Sequence, residues 1–179
     1  NLAFGAPDPD HVARIGDALL DPALEPIVDL IVTADERGYE AAAVDGRVRF
    51  TRSDEGAGWA FTEVAVEGRN PLGNQATDHV PTLAEELALP HPDRTANAYP
   101  HAYEMIAQIF DAPAAPDVIC LHTASHNWVD HGGELGEHGS MGAVQARAPF
   151  ILAGAGVRAA GIVPRSCRLV DVAPTVLAL

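Results

Sequence analysis

The chain has 179 residues, 47% of them apolar and 20% charged, with a mean hydropathy of +0.04; this is the composition of one folded domain and excludes wholesale disorder. Its 11 basic residues, every one an arginine, are set against 25 acidic ones, for a net charge of −14. A nucleic-acid polymer is therefore not an expected partner, because a phosphate backbone needs a basic face to release its counterions. No apolar run approaches the roughly 20 residues of a membrane-crossing helix, so no membrane segment is expected in this chain.

Residues 1–4 are apolar and enter the turn Gly5-Ala6-Pro7 like a strand joined partway. Asp8-Pro9-Asp10 then offers a cap and an early proline, and Val12, Ile15, Leu19 and Leu20 recur at helical spacing. A β-branched run at 27–33 predicts a strand, and 39–44, the turn Asp45-Gly46 and 47–51 predict a hairpin. Residues 59–66 resume the strand pattern and 68–74 form a turn. Two short helices are expected at 81–89 and 100–110, the second with Tyr103, Ile106 and Phe110 on one face. The compact apolar runs at 117–121 and 149–154 have the pattern of strands buried on both faces, which belong to a helix-covered parallel sheet. Asp171 is a good N-cap for a closing helix at 172–179, and that apolar run stops without a polar tail, so both ends suggest an excerpt of a longer protein.

Cys120 and Cys167 are too few and too separated for a disulfide framework and are expected as buried thiols. The densest chemistry lies between Leu121 and Gly139, which holds His122, His126, His131 and His138, four of the eight histidines, directly after the best strand. Open α/β sheets place their sites at the carboxyl ends of strands. Imidazole and carboxylate are the ligands zinc takes when thiolates are absent, and Asp130, His131 and His138 supply both types on a glycine-rich stretch. The competing reading is a polar loop whose histidines titrate in solvent.

Gly136-Glu137-His138-Gly139-Ser140, the run 148–157 beginning Ala148-Pro149-Phe150-Ile151 and the closing Asp171-Val172-Ala173-Pro174-Thr175 resemble the C-terminal end of the alkaline phosphatase superfamily, most closely its type I phosphodiesterase and nucleotide pyrophosphatase branch. The resemblance covers residues 117–179; residues 1–74 match only in general layout. It implies an α/β fold, a largely parallel central sheet covered by helices with a β-rich accessory segment, the chain being the C-terminal portion of one catalytic domain. In that division 1–26 supply a strand and helix, 27–75 the accessory segment, and 76–179 the metal-site loop and core sheet.

The same resemblance implies a metal-dependent hydrolase of small phosphorylated substrates, with two zinc ions roughly 4 Å apart clamping the attacking and leaving oxygens. His138 is the implied zinc ligand, Asp130 and His131 are weaker candidates that would orient or tune a ligand, and the nucleophilic threonine and remaining ligands are expected before Asn1, leaving this chain inactive alone. Asp130-His131-Gly132 with Gly136-Glu137-His138-Gly139 is also similar to a sulfatase segment, ranked second because residues 123–129 separate the triplet from its strand and the chain has no lysine. A metal-free binding domain is the third alternative.

Two other motifs fail on context. Gly154-Ala155-Gly156-Val157-Arg158-Ala159 has the spacing of a dinucleotide loop without the helix it requires. Ser125, His126 and Asp130 lie too close in sequence for a catalytic triad and lack a nucleophile elbow.

Overall fold

The computed structural model describes residues 8–56, 58–76, 82–88, 96–126, 140–146, 148–163, 165 and 167–179. Helix α1 (Pro9–Leu19) starts where expected, with the Asp8 carboxylate accepting from the Asp10 N–H and Pro9 in the first turn. Strands β1 (Val28–Asp35), β2 (Gly38–Ala43), β3 (Gly46–Asp54) and β4 (Trp59–Gly68) follow as a meander. Each connection is local: the β1–β2 loop is held by the Arg37 N–H on Asp35 Oδ1, and Gly38 takes φ 125°, open to glycine alone at low cost. Helices α2 (Leu83–Ala88) and α3 (Ala102–Phe110), strand β5 (Val118–His122) and helices α4 (Ala143–Ala146) and α5 (Val172–Ala178) complete the order. Helix α3 begins after His101, whose left-handed backbone (φ 56°) turns the chain into it.

The sheet has order β4-β3-β2-β1-β5, and every pairing is antiparallel. Period-two alternation gives it two unlike faces. One carries Leu30, Val32, Ala41, Val48 and Phe50 and is covered by Leu72, Tyr99, Ala102, Ile106 and Met141 to form the core. Phe50 is its centre, its ring 4.3 Å from that of Tyr103 and 5.2 Å from that of Tyr39. The other face is apolar only near β1 and β5, where α1 approaches closely enough that a Cβ on Gly16 would stand 3.8 Å from Ile31 Cγ2. Toward β4 that face becomes a ladder of charge: Arg49 meets Asp35 at 2.8 Å and Glu40 at 3.5 Å, and Arg47 meets Glu40 at 3.5 Å and Glu67 at 3.7 Å. Water can reach these pairs, so this face needs no second layer.

Four sequence expectations are corrected here. The sheet is neither parallel nor alkaline-phosphatase-like, because β5 runs antiparallel to β1 with Ile31 beside Cys120 and Val32 beside Ile119. The continuous apolar run is only half-buried along its length: Ile119 and Leu121 pack against the core and α1 lies near the strand, without helical crossovers. The segment at 27–75 is no accessory layer, since four of the five strands lie in it. Residues 149–154 form no strand and pair with neither edge strand; Phe150, Ile151 and Leu152 are 39%, 81% and 42% exposed. The closing helix forms as expected, yet Asp171 does not cap it with its side chain: the carboxylate accepts from the Arg168 N–H instead, closing the preceding turn. The expected opening strand at 1–4 lies outside the described residues.

Candidate functional site at the carboxyl end of strand 5

The sharpest constellation stands where β5 ends. The Thr123 N–H continues the sheet edge by donating to the Ile27 carbonyl at 2.8 Å, and its hydroxyl donates to the Pro26 carbonyl at 2.9 Å. Its own carbonyl accepts twice, from His122 Nδ1 at 2.8 Å and from the His126 N–H at 3.1 Å. The second bond closes a turn that returns the His126 ring toward His122, with ring centroids 6.1 Å apart and planes at 70°. Ser125 Oγ lies 3.3 Å from Thr123 Oγ1 in the same turn.

Two imidazoles side by side are of the ligand type that zinc takes. A carbonyl only accepts, so His122 Nδ1 donates in this bond, and in the neutral ring that tautomer is the one metal-binding histidines hold through such a bond. Two imidazoles on one tetrahedral zinc, with Zn–N of about 2.0–2.1 Å, place their centroids roughly 5 Å apart, about 1 Å closer than here. Among the described residues, no group of three His, Cys, Asp or Glu side chains comes together. Asp130, His131 and His138, the residues singled out by the sequence, lie outside the described residues, in the stretch that begins directly after His126. The density of histidines after the strand was legible in the sequence; that Thr123 pairs two of them was not.

Elsewhere among the described residues, several polar groups are committed to structure, while the buried Asn97 Oδ1 accepts no hydrogen bond. Burial would raise the Asp35 carboxyl, but hydrogen bonds from Arg49 and from the Arg37 backbone and side chain outweigh it and lower its pKa to about 2. Tyr103 is pushed up to about 12, by desolvation first and then by its 2.5 Å hydrogen bond to Glu63, which also accepts from Asn70. Tyr99 Oη donates to Asp29, the extra residue of a bulge between Val28 and Leu30. Arg52 is held by Asp111 through two bonds of 2.7 and 2.8 Å while lying over Trp59. Cys120 is half-buried and its thiol is pushed up by burial; Cys167 is exposed, against expectation. Depressions of about 500 Å³ on α1, lined by Asp8, Asp10, Arg14 and Asp17, and about 390 Å³ at the β1–β2 turn contain no histidine. No described helix is long and apolar enough to cross a membrane. Compared with known proteins, the chain matches no family model, no curated protein and no solved structure.

Proposed function

We propose that this chain carries part of the metal site of a zinc-dependent hydrolase that acts on small phosphate esters, of phosphodiesterase or nucleotide pyrophosphatase type. The observation that carries the reading is the pair of histidines at the end of β5, 6.1 Å apart, opening directly into the stretch that holds Asp130, His131 and His138. The reading rests on the residues of the site and not on the fold, which is antiparallel.

The residues that would hold zinc are His122 and His126, together with His138, with Asp130 and His131 beside them in the chain. Bound zinc would supply Lewis acidity to a phosphoryl oxygen and lower the pKa of an attacking water. The chain's own contribution is preorganisation. Thr123 accepts from His122 Nδ1, which in the neutral ring leaves Nε2 as the nitrogen for a metal, and it sets the turn that carries His126.

The test is zinc content by mass spectrometry and bis-para-nitrophenyl phosphate hydrolysis on the same samples of the intact protein, wild type beside His126→Ala and His138→Ala. Loss of zinc with a fall in hydrolysis of about 10–100-fold or more in either variant supports the assignment. A wild type without zinc or hydrolysis refutes it and leaves a metal-free binding domain, and variants unchanged in both refute the assignment of these histidines.

A further inference from the structure

We propose that Thr123 is the positioning residue of this site: its side chain clamps the peptide whose carbonyl selects the His122 tautomer and sets the His126 turn. The inference rests on the zinc reading for its purpose, though not for its geometry.

Five bonds meet at this one residue, the weakest of them the 3.3 Å contact with the Ser125 hydroxyl. The backbone N–H and hydroxyl fasten Thr123 to the Ile27 and Pro26 carbonyls, ahead of β1, so the peptide is gripped on its sheet side by two donors of 2.8 and 2.9 Å. With the N–H and hydroxyl committed there, the carbonyl is held at a definite position and receives the imidazole of His122 and the N–H of His126 on its two lone pairs. Removing the hydroxyl leaves the peptide in place but frees it to tilt. His122 Nδ1 then loses a well-placed acceptor, and the two tautomers of the ring, which differ little in free energy in water, become mixed. A serine keeps the hydroxyl and keeps the grip. The role is distinct from sheet stability, since Val28 pairs with His122 through the backbone whatever residue follows.

The experiment reads the tautomer directly, by long-range ¹⁵N–¹H correlation spectra of the His122 ring in the metal-free protein above pH 8, for wild type, Thr123→Val and Thr123→Ser. Zinc affinity is then measured by calorimetry on the same three proteins, with the metal alone as probe. The expected result is a wild-type ring with the proton on Nδ1, a mixed signature in Thr123→Val and its recovery in Thr123→Ser, with zinc binding about 10-fold weaker in the valine variant and restored in the serine one. A wild-type ring protonated at Nε2, or a Thr123→Val spectrum identical to wild type, overturns the proposal. If the valine variant unfolds, Thr123→Ala takes its place under the same criteria, and a wild-type ring protonated at Nε2 overturns the proposal without either variant. If the tautomer responds but no variant binds zinc, Thr123 positions the ring as stated, and the hydrolase reading is the one that fails.

Discussion

Replacing Phe50 by alanine probes whether the sheet, and not a helical layer, carries the stability of this chain. The ring is fully buried, packs within 4.3 Å of Tyr103, 5.2 Å of Tyr39 and 6.2 Å of Phe61 between centroids, and lies at the crossing of β3 with the helical cover. Truncating a buried phenylalanine costs the transfer free energy of the ring plus the cavity left behind, about 3–5 kcal/mol. Three aromatic partners that have no other filler put Phe50→Ala near 4 kcal/mol, about a quarter or more of the roughly 5–15 kcal/mol that holds a domain folded. At about 2–4 °C per kcal/mol for a chain of this size, the melting temperature falls by about 8–16 °C. Urea unfolding followed by tryptophan fluorescence measures it, with Val66→Ala as the control: Val66 pairs with Val48 in the same register but is 45% exposed, and its truncation costs less than about 1 kcal/mol. A Phe50→Ala loss below about 1.5 kcal/mol, or equal losses at the two positions, would refute the placement of the core.

Acid sensitivity follows from Asp35. Its pKa is depressed in the folded state, from 3.8 to about 2, so its contribution is present above pH about 4 and lost as pH falls toward 2. The drop corresponds to about 2.4 kcal/mol, reduced to about 1 kcal/mol because the side chain is 38% exposed and solvent screens the Arg49 pair. Asp35→Asn is thus less stable than wild type at pH 6 by about that amount, and the gap closes by pH 2; a gap constant across that range in urea titrations contradicts the assignment. Gly46→Ala drives a methyl group against the backbone nitrogen and carbonyl oxygen of Arg69 and to 2.7 Å from the Glu67 carbonyl, and costs about 1–3 kcal/mol by prising β3 from β4. Gly58→Ala, which meets nothing within 4 Å, stays within about 0.5 kcal/mol in the same denaturation assay, and the reverse order would show the β3–β4 turn to be misplaced.

The residues themselves determined the parts of this protein that depend on neighbours in the chain. Asp8-Pro9 starts α1, the loop at Asp45 joins β2 to β3, and Tyr103, Ile106 and Phe110 share the inner side of α3, because caps, tight turns and helical periodicity are settled within a few residues. The histidine-rich stretch was likewise visible as composition alone. Only the tertiary structure decided how these pieces meet. The apolar pattern of 118–122 requires cover on both faces but says nothing of a neighbour's direction, and the antiparallel pairing with β1 joins residues about ninety positions apart. The same pattern at 149–154 pairs with neither edge strand and stays exposed, while the strands expected to be peripheral, β1 to β4, became the sheet because each could pair with the next through a short loop. The grip of Thr123 on Pro26 and Ile27 belongs to the same class of fact: it unites two segments of chain that sequence spacing keeps far apart, and it exists only because β5 lies beside β1.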